Sequence, residues 1–281
     1  MQEINKHVHG LWIGNALTAI EILCIQSYIQ NGHTFHLWHY EPIQSIPDEC
    51  ISCDANEIIP FDAVFSYTEY NKFGHGKGSY AGFSDIFRYK LFLQYSGWWT
   101  DMDIVCLQPL DFDSEYVFRK NGKKGIVGNV MKCPKNSALM HYCYERALNE
   151  ISANNKHWML PITILNDGIQ KFQLQQFVCS FTNDDSWPLV STYITHQKKF
   201  NNHWKAFHWM NEEWRRYQLD KNIFIQHSCI QQLLADYSIP HTIYTISEAT
   251  KIKSKLNKWN YMLINLKARW NWYKQHLKNK H

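Results

Sequence analysis

No stretch of this 281-residue chain reaches the ~18–20 consecutive apolar residues of a membrane-spanning helix. Its first residues lack the charged-then-apolar order of a secretory signal, so no anchor or export segment is expected. G-x-G-x-x-G is absent, which leaves a dinucleotide site without support. Cys50-x-x-Cys53 is the one close cysteine pair among eight, and no second pair completes a zinc ribbon. Scattered cysteines, several inside apolar runs, read as reduced and mostly buried thiols. No internal repeat, low-complexity segment or Pro/Ser-rich linker divides the chain. Acidic side chains are missing from 251–281, which carry nine Lys/Arg; the first 250 residues hold 20 basic and 25 acidic groups, net −5 beneath an overall +4. This composition break predicts two units, a body over 1–250 and a basic tail over 251–281. The tail calls for an anionic partner such as phospholipid or lipopolysaccharide. No nucleic-acid motif accompanies it, so nucleic acid is not an expected partner.

The chain has ample material for a core, with 45% hydrophobic residues, 12 Trp and 16 Tyr; flat aromatic faces fill interiors and also stack on sugars and bases. The stretch Ser84–Leu107 holds the most chemistry. Ser84 is placed to cap a helix and Asp85 suits its first turn. Ile86, Tyr89, Leu91, Phe92 and Leu93 form a broad apolar face, and Gly97 falls just past the helix end. Trp98 to Cys106 then reads as one extended run, in which Asp101 and Asp103 point to the same side. Two carboxylates aimed at one spot repel unless a cation lies between them. Hard oxygen ligands suit Mn²⁺ or Mg²⁺, and such ions hold phosphate oxygens. Asp85 and Arg88, one turn apart, offer an acceptor for hydroxyls and a cationic fork for phosphate or sugar oxygens.

Upstream, Val8–Ile13 predicts a strand turning at Gly14-Asn15, Thr18–Gln30 a helix, and Thr34–Tyr40 a second strand. That is an α/β beginning. Gly74, Gly76, Gly78 and Gly82 read as a stretch that allows close approach to a ligand. Downstream come a turn at Lys120–Lys124, a strand at Gly125–Met131 and a helix at Asn136–Ile151.

The cassette S-D-x-x-R-Y (Ser84, Asp85, Arg88, Tyr89) followed by Y-x-G-x-x-x-D-x-D (Tyr95, Gly97, Asp101, Asp103) resembles the donor-binding core of DXD sugar transferases. That group contains the family 32 glycosyltransferases of capsular polysaccharide and lipopolysaccharide assembly and, more distantly, the glucosylating clostridial toxins. HGLWIG, GHTFHLWHY and AFHWMNEEW resemble further elements of the same family. The resemblance implies an α/β, GT-A type nucleotide-sugar-binding fold with a mixed central sheet and a C-terminal helical extension. It implies a metal-dependent, retaining hexosyltransferase using Mn²⁺ or Mg²⁺ and a nucleotide-sugar donor, with UDP expected, and a surface glycan or lipid-linked glycan as acceptor. Asp101, Asp103 and His208 are then metal ligands. Trp12 stacks on the base, with Gly14, Asp85, Arg88 and Trp214 also at the donor, and Asp167 contacts the donor sugar or the acceptor. Glu213 stands where the family commonly has serine, which casts doubt on the neighbouring diphosphate contact. No side chain declares itself as base or nucleophile. The expected location is cytoplasmic, with the inner face of the membrane as a peripheral site. Two alternatives stay open: a toxin-like effector that glycosylates a host protein, and a non-catalytic carbohydrate- or membrane-binding protein.

One pattern lies outside the resemblance. Leu256, Trp259, Leu263, Leu266, Trp270, Tyr273 and Leu277 recur at helical steps, with lysines elsewhere on the cylinder. Such a helix suits an anionic membrane surface, the enzyme body or a two-helix seam.

Overall fold

The computed structural model describes residues 1–122, 125–155 and 157–278, the last four by backbone alone. A helical turn, α1 (Glu3–Lys6), leads into β1 (His7–Trp12), α2 (Ala19–Gln30), β2 (Thr34–His39) and β3 (Ile51–Asp54). Then follow α3 (Ala81–Gln94), β4 (Gly97–Thr100), β5 (Ile104–Cys106), β6 (Val117–Asn121), β7 (Gly125–Cys133), α4 (Ala138–Glu150) and α5 (Leu160–Lys171). The remainder is β8 (Val178–Cys179), α6 (Trp187–Thr195), β9 (Ala206–His208), α7 (Asn211–Arg216), β10 (Ile223–Phe224), α8 (Cys229–Asp236), β11 (Thr242–Ile243), α9 (Ile246–Lys255) and α10 (Lys258–Lys278).

Seven strands form the central sheet in the order β3-β2-β1-β4-β7-β6-β8. β3, β2, β1 and β4 run parallel, whereas β7 is antiparallel to both β4 and β6. The chain is therefore α/β with a mixed central sheet and a helical C-terminal extension, as the resemblance implies. β4 explains how the sheet is buried. Its four residues, Gly-Trp-Trp-Thr, are all enclosed, as a central strand covered on both faces must be. Trp99 packs with Phe87, Met131 and Ile164 on the side of α3, α4 and α5. Trp98 packs with Cys24, Tyr28 and Val130 on the side of α2. Each ring removes on the order of 4–6 kcal/mol of apolar surface from water. Gly97 opens this strand at φ +122, and a Cβ there would lie 2.5 Å from the His7 carbonyl oxygen. Only glycine lets β4 come this close to β1.

Two local expectations change. The helix carrying Arg88 begins at Ala81, after Tyr80, so Ser84 is interior and not the cap. Gly82, which reads as loop in sequence, sits inside the helix, and Tyr67 packs where its side chain would be. Trp98–Cys106 is also not one strand. The Ile104 N–H donates to the Asp101 carbonyl at 3.2 Å, so residues 101–104 turn the chain. β5 then leaves the main sheet and pairs antiparallel with β9, Ile104 opposite His208. All eight cysteines are free, five of them buried. Within the Lys120–Lys124 turn, Lys123 and Lys124 lie outside the described residues.

Three histidines stack where β1 and β2 begin. His7 Nδ1 lies 2.9 Å from His36 Nε2, and the His9 and His36 rings stack at 4.8 Å. Trp38 Nε1–H donates to His9 Nδ1 at 3.2 Å, which requires that nitrogen to be unprotonated. Burial, then His36, lowers the His9 pKa to about 3; burial, then His7, lowers that of His36 to about 4. The unfolded chain thus binds protons more readily than the folded one. Stability is full above the ordinary imidazole value of 6.5 and is lost as pH falls toward 4, by on the order of 3 kcal/mol from His9. Thermal melts between neutral pH and pH ~4 should show this slope, and His9→Gln should flatten it. An equal slope in that variant would remove His9 as its cause.

Candidate functional site

The 101–104 turn places its aspartates at the C-terminal ends of β1 and β4, the end of a parallel sheet at which ligands generally bind. Asp101 is fixed from below. Its Oδ1 accepts from Trp99 Nε1–H at 2.8 Å and lies 3.6 Å from Arg88 Nη1. The Asp101 N–H donates to the Asn129 carbonyl on β7 at 2.7 Å. Asp103 is fixed from the side: its Oδ2 accepts from the Asn211 N–H at 2.6 Å and faces His208 Nε2 at 3.1 Å.

His208 does not stand open to the cleft. Its Nδ1 lies 2.6 Å from Asp185 Oδ1, so both ring nitrogens are engaged by carboxylates. Burial opposes a charge on the ring, but Asp103 and Asp185 together outweigh it and raise its pKa to about 9. The ring is an imidazolium at neutral pH. Burial pushes the Asp103 carboxyl up, yet His208 and the Asn211 N–H outweigh that and hold it below the usual range. Asp185 is held far below its usual range, burial being overcome by His208 and Arg119. Asp101 behaves differently. Although its side chain is 37% exposed, it lies on a floor of dense protein. Burial there outweighs the pull of Arg88, Asp103 adds repulsion, and the pKa rises to about 6.

Asp185 and its partners are the part of the site that sequence reasoning missed. Arg119 on β6, fully buried, donates to Asp185 Oδ1 at 2.7 Å and to the Asn183 carbonyl at 2.6 Å. Asn121 Nδ2 donates to Asp185 Oδ2 at 2.6 Å. The Asn183-Asp184-Asp185 run was the available signal, but such a run reads as a solvated turn until β6 is known to lie beside it.

Several expected roles change. Arg88 is only 3% exposed. Its guanidinium pairs with Asp85 and the Gly128 carbonyl, and a Cβ on Gly128 would come within 3.1 Å of it. Arg88, paired with Asp85, therefore forms a buried strut under Asp101. Trp214 is buried, its Nε1–H donating to the Trp209 carbonyl at 2.9 Å, among the apolar residues around α6 and α8; it offers no ring to a donor. Asp167 lies on α5 and pairs with Arg146 at 2.7 Å; none of its described contacts joins it to the aspartate cluster. Glu213 faces His75 at 3.0 Å and Arg216 at 3.4 Å. Trp12 and Gly14 do sit at the end of β1 beside the turn. Trp12 Nε1–H donates to the Ala16 carbonyl at 3.0 Å and the Lys221 ammonium lies 5.3 Å from its ring. Gly14, at φ +135, lines a cavity of about 480 Å³ with Tyr40, Asp62, Ser66 and Tyr80.

Among the described residues no group of three or more His, Cys, Asp or Glu side chains forms a ready cation cage. The donor chemistry nevertheless fits a hard divalent ion. Asp101 Oδ2 and Asp103 Oδ1 carry none of the bonds above. The ion pairs fall into two groups: Asp85 and Asp101 share Arg88, whereas Asp103 and Asp185 face protonated His208 and Arg119. Asp101 is the carboxylate left undercompensated. His208 can join as a ligand only by losing its proton and its bond to Asp103.

No family model matches the chain, and no curated protein sequence does. Among solved structures it is similar to a PaToxG glycosyltransferase, with 13% identity over 93% of this chain and 86% of that one and a TM-score of 0.46. It is also similar to a transferase mutant, with 10% identity over 62% of this chain and 86% of that one and a TM-score of 0.40. Neither likeness is strong enough to bear on chemistry, which rests on the site itself.

Proposed function

We propose that the chain is a glycosyltransferase of GT-A type, similar to family 32, which moves a sugar from a nucleotide-sugar donor to a hydroxyl of a glycan or glycolipid. The observation that carries this reading is the Asp101–Asp103 carboxylate pair, in which Asp101 shares its one cation with Asp85, on the turn that follows β4 beside the end of β1. Asp101 and Asp103 hold a divalent ion, Mn²⁺ or Mg²⁺. When bound, the ion neutralises charge on the diphosphate leaving group. Arg88 orients Asp101 and keeps it ionised at neutral pH; His208, held by Asp185, does the same for Asp103. Trp12 presents a flat face for a base such as uracil, and Gly14 lets the donor approach the backbone. In the reaction the bond from the anomeric carbon to the diphosphate oxygen breaks, with its electron pair going to the diphosphate. The acceptor oxygen bonds to that carbon and loses its proton, and the resemblance implies retained configuration.

A panel of UDP- and GDP-sugars with Mn²⁺ tests this. Slow release of nucleoside diphosphate from at least one donor is expected, abolished by a chelator and falling below pH ~6 as Asp101 protonates. A chain that neither binds nor hydrolyses any sugar nucleotide, with Mn²⁺ or Mg²⁺, contradicts the reading.

A further inference from the structure

The C-terminal helix has two apolar faces, and the body uses only one. Tyr261 and Ile264 of α10 pack on the apolar residues around α6 and α8, and Leu256, just before the helix, is buried there. The composition break near 250 falls inside α9, which Thr245 caps with Glu248. The tail is thus docked and not a free arm. The other face carries Trp259, Met262, Leu263, Leu266, Trp270 and Tyr273, each 48–75% exposed. All but Met262 belong to the stripe read from the sequence; Leu256 faces the body, and the Leu277 side chain lies outside the described residues.

Charge decides what this face meets. At 100° per residue, Lys258 and Arg269 fall along one edge of the exposed stripe and Lys267 and Lys274 along the other. Arg269 also lies over the Phe73 ring at 5.2 Å. Two copies joined through this face would bring like-charged rims together, and 251–281 offers no acid to pair with them. A bilayer bearing anionic headgroups takes both features at once, with the aromatics at the interface and the rim cations on the phosphates. No described helix is long and apolar enough to cross a membrane, so α10, about 31 Å long, would lie flat.

We infer that α10 is an interfacial helix that seats the protein on an anionic lipid surface through Trp259, Leu263, Leu266, Trp270 and Tyr273. This stands apart from the donor chemistry, and its test reads a different quantity. The full chain is sedimented with phosphatidylcholine vesicles and with vesicles in which a part of the lipid is phosphatidylglycerol, at low and high salt. Binding only to the phosphatidylglycerol vesicles, weakened by salt, is expected. The double variant Lys267→Glu/Lys274→Glu should weaken it at least ~20-fold, at about fivefold per charge removed. Trp259→Ser/Trp270→Ser should weaken it comparably. All four positions are exposed, and circular dichroism checks that each variant is folded; should the tryptophan variant lose its fold, the lysine variant still decides. Sugar-nucleotide hydrolysis should be unchanged in both, so failure here is distinguishable from failure of the transferase reading. Indifference to phosphatidylglycerol at low salt overturns the inference. So does binding that ignores salt and both lysines, or a dimer in sedimentation velocity that the tryptophan variant dissolves.

Discussion

Asp103→Asn should lower donor hydrolysis and sugar transfer by about three orders of magnitude or more while leaving the protein folded. Asparagine keeps the shape and can still accept from the Asn211 N–H, which lies 2.6 Å from Asp103 Oδ2. What it removes is a charge with two duties, holding the proposed cation and sustaining the charge on His208. The second duty gives a readout independent of turnover. The raised His208 pKa, about 9, depends on Asp103 and Asp185 together. With one carboxylate gone it should fall toward the ordinary 6.5, seen as a downward shift in the NMR titration of that ring. Stability linked to His208 is present below pH 6.5 in the parent chain and lost as pH rises through about 9; in the variant that loss should be smaller and complete at lower pH. Full activity together with an unmoved titration would show that Asp103 is neither a ligand nor the partner of His208.

Arg88→Met should be the most destabilising single change at the site. It strips the counter-charge from Asp85 and Asp101 and leaves the Gly128 carbonyl without its donor. Breaking a buried pair from one side costs about 3–5 kcal/mol, a fall in Tm on the order of 10 °C for a chain of this size. Arg88→Lys keeps the charge but not the fork, so it should recover much of the stability and little of the turnover. The pH profile separates a strut from mere packing. Arg88 opposes the upward push on the Asp101 pKa, which stands near 6. Without it, Asp101 should protonate at higher pH, and the acidic limb of the activity profile should move upward with it. An unmoved limb in Arg88→Met would leave Arg88 a packing residue only.

How far the sequence reaches is clearest at particular residues. The opening strand–helix–strand is legible within a residue or so, because Val8, Phe35 and Leu37 and the apolar residues of α2 follow the periods of their elements. The 101–104 turn is not legible. Trp98 to Cys106 is apolar enough for one strand, and only the separate pairing of β5 with β9 makes the chain bend there. Arg88 misleads for a related reason: an arginine one turn from an aspartate looks ready for a ligand, but burial against Gly128 is a tertiary fact. Trp214 shares a motif with His208 but faces the core, since α7 turns immediately after β9. Asp185 could not be found, because its meaning comes from Arg119, 66 residues away. The exposed stripe of α10 was legible, since periodicity is local; the second apolar face that docks was not.

The central claim is that Asp101 and Asp103 form a divalent-cation site for a nucleoside diphosphate, and titration of Mn²⁺ into the full chain, with the free ion followed by electron paramagnetic resonance, tests it most directly. One bound Mn²⁺ per chain is expected, bound more tightly when UDP is present, more weakly below pH ~6 as Asp101 protonates, and lost in Asp103→Asn. Equal Mn²⁺ binding by the parent and Asp103→Asn, or no binding with or without UDP, would contradict it.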